Sequence, residues 1–355
     1  MTEVQMALDG IPTPEEIRRA ETENPNTRER DLAESLGISE AQLLAARIGK
    51  GATRLVAHPD GIMAAACELS EVMALTRNRS VVHEKIGTYA NYHSGVHASM
   101  VLNDDIDLRM FPKHWQYAFA VEKPTDAGLR RSLQVFDAAG DAVHKIFLRE
   151  RSNSDAWANA VDRLRHEEQS ETLAVSARAP VEAARSNPDK LDVLRQEWAR
   201  LTDTHQFLTL TARLRMNRLG AYRIAGAPFV RQLEPGAVVD MLQAVQAEGI
   251  GVMVFVGNRG CIQIHSGPIQ TLRPMGPWQN ILDSGFSLHL RQDHVAEVWA
   301  VDKPTKRGPA VSVEAFDAEG ALIFQVFGVG KEGKDDRPAW RDIVAKLPDL
   351  ATETV

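Results

Sequence analysis

One histidine of this sequence stands where it could bind a metal centre. Between residues 191 and 213, apolar residues recur at steps of three and four, which predicts one amphipathic helix. His205 interrupts the apolar face that this helix would form with Leu194, Trp198, Leu201 and Leu208. Two interpretations stay open. The imidazole is either a core histidine whose nitrogens are satisfied by its neighbours, or a single axial ligand to a porphyrin iron in an apolar pocket.

The elements that would position this histidine occur twice. The segment Ala120–Thr125 (AVEKPT) returns as Ala300–Thr305 (AVDKPT), and 303 − 123 = 180. The same offset relates Asn78 to Asn258 and Phe147 to Phe327, so one register holds between these positions without a gap. Solenoids and propellers repeat at roughly 20–50 residues, whereas this repeat has the size of a domain. We therefore predict two copies of one fold in a single chain.

The two copies differ at one position that could carry chemistry. Arg109 in the first copy is equivalent to His289 in the second, and both lie in segments that alternate like strands. Different roles of the two copies would explain this difference. Ordinary drift between duplicates explains it equally well.

Each copy begins with helical patterns and continues with strands. Residues 252–256 and 261–264 form a hairpin pattern around a Gly-Asn turn, and residues 286–290 and 311–316 read as further strands. A final helix is expected at 339–347. The predicted fold is α+β: two large antiparallel sheets, each flanked by helices and related by a pseudo-two-fold. The expected domains are residues 1–165 and 191–355, with a connector at 166–190.

Composition excludes several classes of protein. The 355 residues carry 41 basic and 48 acidic side chains, which disfavours nucleic-acid binding. The two cysteines lie far apart, so neither a disulfide framework nor a cysteine-rich metal site fits. There is no secretion signal at the start and no long apolar run, which predicts a soluble cytoplasmic protein. Motifs for dinucleotide binding, nucleotide hydrolysis, zinc proteolysis and serine hydrolysis do not occur.

The N-terminal helical segment at residues 27–44 has the outline of a helix–turn–helix, broken at Gly37. A short helix pair of this kind is more often plain packing. With the acidic net charge, a transcriptional regulator is the less favoured class.

Several segments together resemble one family. They are Met253–Gly260 (MVFVGNRG), Leu201–Phe207 (LTDTHQF), Ile106–Phe111 (IDLRMF), Lys303–Thr305 (KPT) and the pair Phe136–Asp137. The chain resembles, over nearly its whole length, the cytoplasmic haem-handling proteins of bacterial haem-uptake systems, the HemS/HmuS/ChuS/PhuS group.

The resemblance implies that haem b binds in one asymmetric cleft. It implies that His205 is the proximal ligand of the haem iron, that Arg109 lies on the distal side, and that Phe111 lies over the haem. It also implies that Arg218 and Lys303, with Gln325 nearby, hold the propionates, for which cationic or donor partners are suitable.

The sequence departs from the family pattern near the propionates. Phe327 stands where a tyrosine is frequent, and Gly330 stands where an arginine is frequent, with Lys331 next to it as a substitute. Leu208 replaces an aromatic residue beside the proximal histidine, which implies a looser pocket. Some members bind a second haem in the N-terminal copy, and the histidine of that site corresponds to His83.

Two functions are compatible with the resemblance. The first is an enzyme that opens the haem ring and frees iron, with electrons from NAD(P)H or ascorbate that is not tightly bound, and with Arg109 donating to a bound dioxygen or peroxide. The second is a haem chaperone that delivers haem to a separate haem oxygenase. Expected partners are haem and an inner-membrane haem importer or a haem oxygenase, and the expected state is a monomer or a homodimer.

Overall fold

The computed structural model describes residues 10–126, 128–331 and 333–351, except for the side chain of Lys331. Its contacts divide the chain into two compact units. Of the described residues, unit 1 contains those within 10–77, 83–179 and 257–263, and unit 2 contains those within 78–82, 180–256 and 264–351. Each unit therefore includes a short segment from the other half of the chain.

These exchanged segments are anchored in the same way in both units. In unit 1, the side-chain amide of Asn258 donates to the carbonyl of Val143 at 2.9 Å. In unit 2, the side-chain amide of Asn78 donates to the carbonyl of Ile323 at 2.8 Å. Both partners are related by the offset of 180 residues. Domain boundaries given as continuous ranges cannot describe such an exchange of segments. The division at 1–165, 166–190 and 191–355 stays a prediction.

The first half of the chain contains five of the described helices and nine strands. The helices are α1 (Pro14–Glu23), α2 (Glu29–Ser35), α3 (Glu40–Ala45), α4 (Pro59–Glu68) and α5 (Trp157–Leu164). The strands are β1 (Ala52–Leu55), β2 (Ser70–Arg77), β3 (Val81–Gly87), β4 (Tyr92–His93), β5 (Ser99–Leu102), β6 (Asp107–Met110), β7 (Tyr117–Thr125), β8 (Gly128–Phe136) and β9 (Ala142–Ser152).

The second half follows the same order of helices and strands and adds two short strands before its last helix. Its described helices are α6 (Leu191–Trp198), α7 (Gln206–Arg213), α8 (Arg218–Ala225), α9 (Ala237–Glu248) and α10 (Arg337–Lys346). Its strands are β10 (Val230–Leu233), β11 (Val252–Gly257), β12 (Cys261–Gly267), β13 (Leu272–Met275), β14 (Trp278–Leu282), β15 (Phe286–Arg291), β16 (Glu297–Lys303), β17 (Ala310–Phe316), β18 (Leu322–Gly328), β19 (Gly330–Lys331) and β20 (Lys334–Asp335).

The strands form two nine-stranded antiparallel sheets and a short ribbon of β19 and β20. Within unit 1 the neighbours run β1-β7-β8-β9-β2, and within unit 2 they run β10-β16-β17-β18-β11. Tyr117 pairs with Phe136 in the first sheet, and Glu297 pairs with Phe316, both 180 positions later, in the second. The predicted α+β fold and its internal duplication are confirmed.

Helices cover the sheets and close the cores of each unit. In unit 1 one apolar cluster includes residues of α4, of α5 and of the sheet strands β1, β2, β7, β8 and β9, and another includes α3 and residues of β7 and β8. Every residue of α3 is buried, and its first turn is capped by Ser39. A recognition helix must be exposed to enter a DNA groove. The helix–turn–helix pattern at residues 27–44 therefore reflects packing of these helices in the core. No described helix is long and apolar enough to cross a membrane.

Candidate functional site

His205 lies in a break between two helices. The sequence pattern predicted one continuous helix, which is wrong, because α6 ends at Trp198 and α7 begins at Gln206. In the break, the backbone amides of Thr202 and Asp203 donate to the side-chain oxygen of Gln206 at 2.9 and 3.3 Å. The His205 side chain is 95% exposed. The interpretation of His205 as a core histidine is therefore wrong.

Asp203 orients the imidazole of His205. Its Oδ1 accepts from the His205 backbone amide at 2.8 Å and lies 2.7 Å from Nδ1 of the ring. The donation from the His205 amide lowers the pKa of Asp203, so the carboxylate is ionised at neutral pH. Because an ionised carboxylate only accepts hydrogen bonds, Nδ1 must carry the proton. In the neutral ring Nε2 then holds the lone pair that a metal ion would bind.

The outer face of α7 presents two apolar side chains after this histidine, beside exposed polar ones. Leu208 and Ala212 lie three and seven positions after His205, and both are exposed, Leu208 to 52%. A groove of about 410 Å³ runs beside them and is also lined by Arg218 and Phe316. The structure thus places two of the predicted contact residues, Leu208 and Arg218, in one groove of unit 2.

Arg218 and Lys303 meet at a third residue, Glu314 of β17. The Arg218 guanidinium donates to Glu314 Oε2, and the Lys303 ammonium donates to Oε1, both at 2.9 Å. Lys303 also donates to the Tyr222 hydroxyl at 2.9 Å. Burial lowers the pKa of Lys303. Burial opposes ionisation of Glu314, but the two cations hold the pKa of this carboxyl well below its usual range.

Gln325 and Phe327 lie on the same face of the unit 2 sheet as Glu314. In an antiparallel pair, directly opposed side chains share one face. Glu314 is opposite Gln325, and Gln325 is opposite Phe255 of β11. Both Gln325 and Phe327 are half-buried, and the Phe327 ring packs edge-on against Phe255 at 5.4 Å. The side chain of Lys331 lies outside the described residues.

Arg109 and Phe111 belong to unit 1. Arg109 lies on β6, is 31% exposed, and forms an ion pair with Asp107 two residues away. Phe111 follows the strand, is half-buried, and donates its backbone amide to the carbonyl of Gly260 at 2.9 Å. Its equivalent in the second copy, Arg291, makes the matching bond to Ser80 in unit 2.

His83, the candidate for a second haem, lies on β3 and is fully buried. Close to it, unit 1 holds a polar cluster around His144. The His144 Nδ1 lies 2.8 Å from the Thr76 hydroxyl, and its Nε2 lies 2.5 Å from the Tyr89 hydroxyl. A ligand could reach His83 only through a rearrangement of this packed interior, and ligation by His83 stays a prediction.

Sequence reasoning missed Asp203, Tyr222 and Glu314. The first had a visible signal, because a carboxylate two positions before a candidate ligand can orient its ring. Glu314 had a weaker one, because it is an acidic residue in the middle of an apolar strand. Tyr222 had none, since its role depends on contacts with residues that are 81 and 92 positions away.

Comparisons with known proteins agree with this architecture. The sequence model of the "Haemin-degrading HemS.ChuX domain" family matches residues 37–164 and 215–347, once in each copy. The hemin transport protein HemS of Yersinia enterocolitica is 37% identical over 334 residues, which cover 94% of this chain and 96% of HemS.

Two solved structures have the same fold. Holo-PhuS, a heme-binding protein from Pseudomonas aeruginosa, matches with a TM-score of 0.90 and 40% identity, over 96% of this chain and 100% of PhuS. The heme degrading enzyme ChuS of Escherichia coli O157:H7 matches with a TM-score of 0.85 and 34% identity, over 93% of this chain and 97% of ChuS. With a family match in both copies and a relative that aligns over nearly its full length, this chain belongs to the haemin-degrading HemS.ChuX domain family.

Proposed function

We propose that this protein binds one haem through His205 in the cytoplasm and degrades it to release iron, using electrons from an external donor such as NAD(P)H or ascorbate. The observation that supports the proposal is the His205 imidazole, which is exposed and oriented by Asp203 at the start of α7. Membership of the family and the likeness to a heme degrading enzyme supply the class of substrate.

The residues of unit 2 fit a haem as substrate. A neutral imidazole with its Nδ1 proton held by a carboxylate is a common arrangement for an axial ligand of iron. Leu208 offers an apolar contact to a porphyrin face, and Arg218 offers a cation to a carboxylate at its edge. Arg109 would supply donors and positive charge on the opposite face, where charge develops during turnover.

An absorption experiment tests the proposal. Haemin is titrated into the protein, and NADH or ascorbate is then added in air with catalase present. The addition is repeated without oxygen. We expect a Soret band on titration, and its loss with release of iron after the donor is added. The dependence on oxygen then identifies the chemistry as oxidative or reductive.

The variant His205→Ala tests the ligand itself. We expect loss of the parent spectrum and much of the haem affinity, because the iron loses its protein ligand. His97→Ala is the matched control, since His97 is also an exposed histidine, in unit 1. If His205→Ala has the parent spectrum, His205 is not the ligand.

A haem carrier is the second candidate function. It is favoured by the 37% sequence identity between this chain and a hemin transport protein. A carrier needs the same ligand, but its Soret band would persist after both donors are added. That outcome would direct the search to a haem oxygenase that accepts haem from this protein, and an inner-membrane importer would be the source of the haem.

A further inference from the structure

Unit 2 contains a buried charged network behind the helix that carries His205. The carboxylate of Glu314 is fully buried, and it accepts from Lys303, Arg218, Tyr222 and Ser312. The four donor–acceptor distances are 2.9 to 3.0 Å. Every side chain of this set is therefore tied to one carboxylate.

Such a network is costly to bury. The free-energy cost of removing charges from water is offset only when the partners have good geometry and further hydrogen bonds. Here two cations share a single carboxylate, so the network retains one unit of positive charge in excess. An apolar core of the same volume would often be equally stable, so stability alone does not account for these residues.

The network contacts α7 through an aromatic residue. The Lys303 ammonium lies 5.0 Å from the ring centre of Phe207 and 5.2 Å from that of Tyr222. The two rings stack at 5.6 Å with 29° between their planes. Phe207 is buried in the first turn of α7, two residues after His205. The network therefore packs against the inner side of the turn whose outer side presents the imidazole.

The strand end that carries Lys303 also holds the loop before α7. The backbone amide of Lys306 donates to the carbonyl of Thr202 at 3.0 Å, and the Trp198 indole donates to the carbonyl of Asp302 at 2.9 Å. Both ends of the break between α6 and α7 are thus tied to β16 or to the loop that follows it. A shift of Lys303 would be transmitted to Thr202, Phe207 and the start of α7.

The first copy of the fold does without this network. At the offset of 180 residues, Glu314 corresponds to Gln134, Tyr222 to Gln42 and Arg218 to Ile38. Gln134 is buried in β8, so the same sheet position accepts a neutral residue. The carboxylate, the tyrosine and the arginine of this network therefore occur in the copy that carries His205, whereas the equivalent of Lys303 in the first copy is also a lysine, Lys123.

We propose that Glu314 is a positioning residue, which holds Lys303 and Tyr222 against Phe207 and so sets the direction of the His205 imidazole toward the haem iron. The inference rests on the proposed function, in which His205 is the axial ligand. Glu314 does not touch the haem in this role. It acts through Lys303, Tyr222 and the packing of α7.

The test is the variant Glu314→Gln, which keeps the size of the side chain and removes its charge. Haemin is titrated into the parent and the variant, and the absorption and electron paramagnetic resonance spectra of the ferric complexes are recorded. We expect about a tenfold loss of haem affinity and a change of the axial-ligand signature, as for outer-shell partners of metal-binding histidines. Unfolding temperature and circular dichroism are measured in parallel.

Glu40→Gln is the matched control. Glu40 is also a buried carboxylate between two cations, Lys145 at 2.8 Å and Arg77, but it lies in unit 1. Its variant should lose stability and keep the parent spectrum and affinity. A loss of haem affinity that both variants share would reflect destabilisation and would overturn the positioning role of Glu314.

Tyr222→Phe keeps the proposal testable if Glu314→Gln does not fold. It removes the hydroxyl that joins Lys303 to Glu314 and leaves the ring on Phe207, and we expect a smaller change in the same direction. Parent-like spectra in the folded Tyr222→Phe or Glu314→Gln protein overturn the inference. If the parent itself binds no haemin, or binds it independently of His205, the proposed function has failed instead.

Discussion

Asp203 determines which nitrogen of His205 can face a ligand. Its carboxylate accepts from the ring Nδ1 and from the backbone amide of the same residue, so both the ring and its place at the start of α7 are held. An exposed histidine without such a partner would exchange tautomers and rotamers, and each metal-binding event would have to select one. The imidazole is thus oriented in advance for the ligand role that we propose for it.

This arrangement makes a prediction for Asp203→Asn. An asparagine oxygen accepts a weaker, neutral hydrogen bond, so the imidazole becomes less basic and less well oriented. We expect about a tenfold lower haem affinity and a raised reduction potential of the bound iron, measured by haemin titration and spectroelectrochemistry. Asp192→Asn, an exposed aspartate on α6, serves as the control. Identical potentials in the parent and Asp203→Asn would exclude the orienting role.

A second prediction at this scale concerns Arg109. Its guanidinium is partly exposed and paired with Asp107, so a ligand could compete for it without opening a core. We expect Arg109→Ala to bind haemin nearly as the parent does but to degrade it more slowly, because a distal donor acts on the reacting species. Arg109→Lys keeps the charge and should be intermediate. Equal rates of haem loss for the parent and Arg109→Ala under one electron donor would refute the distal role.

Among the elements, the strands and the final helix were predictable, and the helix break was not. The hairpin of β11 and β12 and the strands β15 and β17 follow from local alternation and turn residues, and the structure confirms them. The steps of three and four continued from α6 into α7 although the chain turns between them. Thr202 and Asp203 are short polar residues that compete with helical hydrogen bonds, and they mark the break.

The charged network and the polar cluster could not be predicted from sequence. They depend on contacts between residues that are far apart, such as Lys303 with Tyr222 and Thr76 with Gln263. A periodic pattern reports whether a residue is buried, but not which partner it meets. Lys303 and Arg218 could be named from the resemblance, whereas only the structure shows that Glu314, an acidic residue in an apolar strand, binds both.

The polar cluster that joins β2, β9 and β12 predicts a pH dependence of stability. Burial lowers the pKa of His144 from 6.5 to about 3. Below pH 6.5 the unfolded chain binds a proton that the folded chain does not, so stability falls as the pH decreases toward 3. The slope contributed by this one proton is about 1.4 kcal/mol per pH unit.

His144→Phe tests this, because the second copy has Phe324 at the equivalent position. The variant should be less stable at pH 7, since Thr76 and Tyr89 lose their partner. Its unfolding free energy in urea should nevertheless change less than that of the parent between pH 6.5 and 4.5. His97→Ala, at an exposed site, should keep the parent slope. Parallel pH profiles of the parent and His144→Phe would contradict the prediction, because they would mean that His144 binds its proton equally well in the folded and the unfolded state.

At the scale of the whole molecule, the two copies share a fold and differ in their interiors. Unit 1 has the cluster of Thr76, Tyr89 and His144, and the equivalent positions in the second copy are Val256, Ile269 and Phe324. Unit 2 has the network around Glu314, where the first copy has a glutamine. Duplication therefore supplied two scaffolds, and the polar interior of each was specialised separately.

This divergence predicts how many haems one chain binds. A duplicated fold could hold two, and His83 is the candidate ligand in the first copy. However, His83 is fully buried on β3, whereas His205 is 95% exposed at the start of α7. Ligation by His83 would require part of the unit 1 core to open, and the free-energy cost of that opening would weaken haem binding at this site. We expect haemin titration to saturate at one equivalent per chain.

Two variants separate the contributions of the copies to this stoichiometry. His83→Ala should keep the parent end point and spectrum, and His205→Ala should remove the saturable Soret change. Binding to the folded state also raises the unfolding temperature, so haemin should stabilise the parent and His83→Ala but not His205→Ala. A second equivalent that is lost only in His83→Ala would contradict the prediction. It would mean that the interior around His83 opens readily enough to admit a porphyrin.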